Sequence, residues 1–139
     1  MKKNKKQILA ACNAICKDTL METLEIEFID LTDEVLVAKM PVTKRVHQPD
    51  GVLHGGATVA LAESIGSAAA FVFLGNNNVT VRGLEIAANH IKSIKDGYVY
   101  ARAIALHKGR TTQLWQIRIE NENGDLISLV KLTTITLHK

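Results

Sequence analysis

Glu63 is the one charged residue in GGATVALAESIGSAAAFVFL, residues 55–74. A lone carboxylate among small residues suits a nucleophile or general base, because small neighbours let a reacting carbonyl come close. A buried acid held by a salt bridge, or an acid facing solvent, fits the same pattern. Ser67 lies four residues further on, so on a helix it shares the face of Glu63, where its hydroxyl could hold water or bond back to the helix. Gly55 and Gly56 open the stretch. A helix start presents unpaired N–H groups and partial positive charge, and glycine admits a substrate carbonyl to that backbone; the two glycines could equally just turn the chain. His54 and Gln48 flank the same point, where a histidine also serves as a loop or capping residue.

Other chemistries are poorly supported. No Gly-x-Ser-x-Gly elbow is present, which argues against a serine triad. His47, His54, His90, His107 and His138 are scattered without His-Glu-x-x-His spacing, so no metal site is expected. Cys12 and Cys16 are four apart with no second pair, and read as free thiols in a reducing cytoplasm. The formal charge of +3 comes from Lys2, Lys3, Lys5 and Lys6, without which the remainder carries −1. Residues 1–6 are therefore expected to be a frayed basic tail rather than a nucleic-acid or membrane arm. The few aromatic residues offer no base-stacking platform. The start MKKNKKQILAAC has too short an apolar stretch for a signal peptide. Residues 55–74 have the length of a membrane span, but are rich in Ala and Gly, contain Glu63 and lack aromatic or basic flanks, and so read as a helix enclosed in a soluble core.

The elements that must position these residues follow from periodicity and turn chemistry. The chain of 139 residues is expected to form one domain. An amphipathic first helix carries Ile8, Cys12, Ile15 and Thr19 in one row and Leu9, Cys16 and Leu20 in the next. LEIEFIDLTDEVLVAKMPV alternates and breaks at Thr32-Asp33, as a hairpin does. Pro49-Asp50-Gly51 marks a loop before the long helix, which Gly75 and Asn76-Asn77-Asn78 should stop. Three β runs follow, the middle one dividing at His107-Lys108-Gly109-Arg110. The sum is α+β: about six antiparallel strands in a curved sheet around one long helix apolar on nearly all faces. An exposed sheet edge calls for a homo-oligomer that continues the sheet.

The segments QPDGVLHGGATVALAESIGSAA, GLEIAANHI and HKGRTTQLWQIRI, in this order, resemble the hotdog-fold thioesterases related to 4-hydroxybenzoyl-CoA thioesterase, in the branch of the phenylacetate, enterobactin and menaquinone pathways. The likeness runs from about Leu20 to Leu137. It implies hydrolysis of an acyl-CoA or aroyl-CoA thioester without a cofactor, in active sites at a dimer interface, in a tetramer made of two dimers. It also implies that Glu63 is the catalytic carboxylate, that the Gly55 N–H polarises the carbonyl, and that His54, Gln48 and Ser67 line the site, with Gln48 placing water from the subunit opposite Glu63. Coenzyme A carries phosphates, which need cations and backbone donors. By family position Gly83, His90, Ile91, Lys92, Ser93, His107, Lys108, Gly109, Arg110, Thr111 and Thr112 would contact it, with Lys92 and Arg110 at phosphates; as plain strand ends they would carry the same charges. Arg82 departs from the small or apolar residue expected there, and could touch phosphate or obstruct the channel. The rival reading is a module that binds acyl-CoA or acyl carrier protein without hydrolysis, which does not require Glu63.

Overall fold

The computed structural model describes residues 3–75 and 78–138. Lys2 of the basic tail, and Asn76 and Asn77 of the expected helix stop, lie outside these residues. Helix α1 spans Lys5–Ala14 and starts in a capping box: the Asn4 side chain accepts from the Gln7 N–H while the Gln7 side chain accepts from the Asn4 N–H. Lys5 and Lys6 are thus helical, and Lys5 is ion-paired with Asp30, so the expected fraying through residue 6 does not hold. Nor does the first helix run on to Leu20. It ends at Ala14, Asp18 takes a left-handed φ of 62°, and the Thr19 hydroxyl caps a separate short helix α2, Leu20–Thr23.

Strands β1 (Glu27–Leu31) and β2 (Val35–Pro41) form the hairpin, whose turn is closed by Thr32 accepting at Oγ1 from the Glu34 and Val35 N–H groups. A loop with one 3-10 turn leads to helix α3, Gly55–Leu74, and then come β3 (Val79–His90), β4 (Tyr98–Lys108), β5 (Thr112–Glu120) and β6 (Leu126–His138). The sheet order is β1-β2-β4-β5-β6-β3, antiparallel throughout. This is the hotdog fold, and the division of the long β run at Gly109 is where turn chemistry placed it.

Helix α3 has the length and hydropathy of a membrane span, yet packs against strands β2 to β6 as the core helix of the sheet. Thr58, Leu61, Ala62, Ile65, Gly66, Ala69 and Ala70 recur at three- and four-residue spacing and are buried. They meet Trp115, Ile117, Val130 and Leu132 from the inner face of the sheet. Expected enclosure on nearly all faces is not met within the single chain, because Gly56, Glu63 and Phe71 stay exposed on the opposite stripe. The two sheet edges also differ. Asn13 on α1 both donates to the Phe28 carbonyl and accepts from the Phe28 N–H, at 3.0 and 2.8 Å, and so covers β1 much as a strand would. No such cover is seen for β3 among the described residues, and Gly83, Leu84, Glu85, Ala87 and Asn89 are all exposed there.

Candidate active site

The loop before α3 is pinned at both ends. The His54 N–H donates to the Val46 carbonyl and the Leu53 N–H to the Ile94 carbonyl, each at 2.8 Å, while Gly51 takes the left-handed φ of 84° that the tight turn requires. His54 is the N-cap of α3, its Nδ1 accepting from the Gly56 N–H at 2.8 Å. An accepting Nδ1 leaves the proton of the neutral ring on Nε2, so His54 can cap the helix and still present a donor outward. A pocket of about 180 Å3 opens here, lined by Gln48, Gly55, Thr58, His90, Ile91, Lys92, Ser93 and Ser128 among others. Gln48 donates to Asp50 at 2.9 Å. Lys92 is ion-paired at 3.1 Å with Asp125, and that carboxyl is held below its usual range by hydrogen bonds from Asn121 and Lys92.

Glu63 sits elsewhere, in a groove of about 710 Å3 whose walls include Cys12, Ile15, Leu20, Met21, Ala60, Ser64, Ser67, Ala68, Phe71, Val81 and Arg82. Ser67 faces this groove beside Glu63, while Ser64 bonds back to the Ala60 carbonyl at 2.6 Å. Gly83 forms the seat of the carboxylate: a Cβ there would stand 2.5 Å from Glu63 Oε2. That geometry ties Gly83 to Glu63, a relation the expected nucleotide contact did not include. Arg82 lies in the same groove and donates from Nη1 to the Val81 carbonyl at 3.0 Å, which places it by the carboxylate rather than beside Lys92.

His107 and Lys108 end β4, Gly109, Arg110 and Thr111 form the turn, and Thr112 starts β5. Lys108, Gly109 and Arg110 border a pocket of about 290 Å3 with Leu74, at the C-terminal end of α3. His90 to Ser93 lie at its N-terminal end beside Gly55. A helix of 20 residues rises about 30 Å, so the two sets expected to share one coenzyme A are held far apart within one chain. The same rise separates Gly55 from Glu63 by about 12 Å along the axis. A carbonyl polarised by one and attacked by the other must be about 3 Å from each, so a single copy cannot assemble both halves.

Three features escaped the sequence reading. Ser128 is buried and hydrogen-bonded to His90 at 2.7 Å; Asp125 engages Lys92; and Thr58 lines the Gly55 pocket. None belongs to a motif: strand register brings in Ser128, helix periodicity Thr58, and the β5–β6 turn Asp125. Among the described residues no cluster of His, Cys, Asp and Glu could hold a metal ion.

Residues 50–128 match the family model of the thioesterase superfamily. The chain is 44% identical over 133 residues to the 1,4-dihydroxy-2-naphthoyl-CoA hydrolase of Escherichia coli strain K12, covering 96% of this chain and 97% of that one. It is 42% identical over 129 residues to the proofreading thioesterase EntH of Cronobacter turicensis, covering 93% of each. The crystal structure of thioesterase HI1161 from Haemophilus influenzae superposes with a TM-score of 0.92 at 39% identity, covering 99% of this chain and 93% of that one. With its helix, its antiparallel sheet and its isolated carboxylate in the groove, the chain belongs to the thioesterase superfamily and is a thioester hydrolase.

Proposed function

We propose that the substrate is an acyl-CoA or aroyl-CoA thioester, hydrolysed in a site that two copies of the chain build together. The observation that carries this reading is the separation of Gly55 from Glu63 on one helix, combined with an exposed helix stripe and a β3 edge left uncovered by the described residues. A second copy pairing along β3 would continue the sheet and bring its own α3 against the open stripe. Glu63 of one copy then faces the Gly55 end of the other. The Gly55 N–H and the positive helix start polarise the thioester carbonyl. Glu63 either takes a proton from a water that attacks the carbonyl carbon, or attacks it directly to give a mixed anhydride that a water then hydrolyses. In both routes a C–O bond forms as the C–S bond breaks, and the water supplies the oxygen of the free acid and the proton that leaves with the thiol. Gln48, His54 and Ser67 line this site, Gln48 beside the attacking water. Side chains, backbone N–H groups and water supply every group this reaction uses.

The same pairing would unite the two cation-bearing sets, Lys92 with its neighbours and Arg110 with its neighbours, across one nucleotide. A relative named as a 1,4-dihydroxy-2-naphthoyl-CoA hydrolase and another named as a proofreading thioesterase support a CoA thioester as the substrate class. The apolar groove at Glu63 fits an aromatic or medium-length acyl group. We place the protein in the cytoplasm as a tetramer of two such dimers.

The test is thiol release from a panel of aroyl- and acyl-CoA esters by the wild type and Glu63→Gln. Turnover that falls by several orders of magnitude in the variant, with CoA binding kept, is the expected result. Near-normal turnover by Glu63→Gln would remove that residue from the chemistry. Binding of the esters without turnover by either protein would mark a binding module instead.

A further inference from the structure

We propose that His90 supplies a second hydrogen-bond donor to the thioester carbonyl, beside the Gly55 N–H, and that Ser128 fixes the ring tautomer that makes it one. The inference rests on the reading of the Gly55 end as the carbonyl-polarising half of the site. His90 is the last residue of β3 and pairs in register with Ser128 on β6. Its ring lies against the start of α3: a Cβ on Gly55 would stand 2.8 Å from His90 Nε2 and 3.2 Å from Cδ2. Gly55 is therefore required for the approach of this imidazole as well as for that of a substrate.

The tautomer follows from burial. Ser128 is 1% exposed, and the hydrogen bond recorded for its hydroxyl among the described residues is the 2.7 Å contact to His90 Nδ1. If the ring donated in that contact, the hydroxyl hydrogen would be buried without an acceptor, which is costly. Ser128 instead donates to Nδ1, and the proton of the neutral ring resides on Nε2, the atom that faces Gly55. His54 reaches the same protonation pattern by a different route, its Nδ1 occupied by the Gly56 N–H. Two neighbouring polar side chains are engaged by other partners, Gln48 by Asp50 and Lys92 by Asp125. His90 opens on the pocket of about 180 Å3 that Gly55 also lines, so a carbonyl oxygen entering it meets a backbone donor and an imidazole donor together. Family position had assigned His90 to coenzyme A; the ring geometry directs it to the helix start. Ser128 touches no substrate and is a positioning residue.

The test uses the full chain as wild type, Glu63→Gln, His90→Leu, His90→Gln and Ser128→Ala, with steady-state kinetics on the best CoA ester and calorimetric binding of free CoA. In His90→Leu, kcat falls about 100-fold or more, as for loss of one oxyanion donor, with KM and CoA affinity within about threefold of wild type. His90→Gln returns an N–H near the position of Nε2 and recovers kcat to within about tenfold of wild type. Ser128→Ala gives an intermediate loss in kcat. A His90→Leu protein with kcat within about twofold of wild type overturns the proposal. So does a fall in CoA affinity with kcat intact, which would return His90 to the nucleotide, or a lowered Tm that His90→Gln shares along with the lost activity. If Glu63→Gln abolishes turnover while His90→Leu does not, this inference fails and the reading of the site stands; if wild type turns over no thioester, both fall.

Discussion

Substituting Gly83 by alanine adds one carbon in β3, seven residues from the His90 end that meets Gly55, and it should still slow the enzyme. The new Cβ would stand 2.5 Å from Glu63 Oε2, where ordinary contact begins near 3.4 Å. The carboxylate is the far end of a flexible side chain, so it yields by about 0.9 Å and the backbone stays in place. A displacement near 1 Å of a reacting group costs about 100-fold in rate. Stability should move the other way or not at all, since alanine in a strand loses less conformational entropy on folding than glycine does, by about 0.5–1 kcal/mol. The assay is thiol release against CoA esters with Tm measured in parallel. The expected outcome is kcat lowered about 10- to 100-fold, KM nearly unchanged and Tm equal or higher. A Gly83→Ala protein with wild-type kcat would refute the placement of Glu63 as the attacking group in its Gly83 seat.

Other consequences follow from particular contacts. Trp115 is fully buried, stacks on Phe73 at 6.2 Å between centroids, and donates from Nε1 to Thr134 at 2.9 Å; Trp115→Ala should lose about 3–5 kcal/mol in urea unfolding, chiefly through the cavity it leaves. Burial raises the Cys12 thiol above its ordinary pKa, with Cys16 adding repulsion, and burial likewise raises Cys16, with Glu22 adding to it. Alkylation of the native protein should be slow at neutral pH and accelerate only at higher pH than for a free thiol, as followed by mass spectrometry; rapid neutral labelling would contradict this. The Lys5 ammonium and the Leu31 N–H hold the Asp30 carboxyl below its usual range. Its folded pKa is depressed, so its contribution is present above the unfolded carboxylate range and is lost as pH falls through the folded value. Asp30→Asn should therefore be less stable than wild type at neutral pH and indistinguishable at strongly acid pH, as read by denaturant titrations at both.

The parts of the fold read correctly from the sequence are those set by local chemistry. The α3 start at Gly55, the turn at Thr32 and the break at Gly109 each follow from residues within a few positions of one another. The misread parts depend on backbone conformation or on partners distant in the chain. The first helix carries a continuous apolar pattern past Ala14, but Asp18 in the left-handed region and the Thr19 cap end it, and those are choices of the backbone rather than of the pattern. Asn13 looks like an ordinary helical residue until its amide is found paired with Phe28, 15 positions on. At the site, the family likeness placed Gly83 and His90 among the contacts to coenzyme A, by their position in the family pattern alone. Only the packing of β3 across α3 reveals that Gly83 holds Glu63 and that His90 meets Gly55. The separation along α3 was implicit in the spacing of eight residues, since rise per residue is a property of any helix.

That separation also yields a sharp test of the two-copy site. Gly55→Pro deletes the polarising N–H at a helix position where proline is tolerated, and His54, at φ −65° and ψ 130°, already holds the extended conformation that a following proline demands. The ring would crowd His90, which only deepens the defect on that side of the site. Glu63→Gln removes the other half. If each site takes Glu63 from one copy and Gly55 from its partner, a mixed dimer has one site with both lesions and one with none. Random reassortment of equal amounts after denaturation and refolding makes about half of the dimers mixed, each with one working site of two, so activity should return to about one quarter of wild type. If both groups came from the same copy, every site in every dimer would carry one lesion, and mixing two inactive proteins would restore nothing.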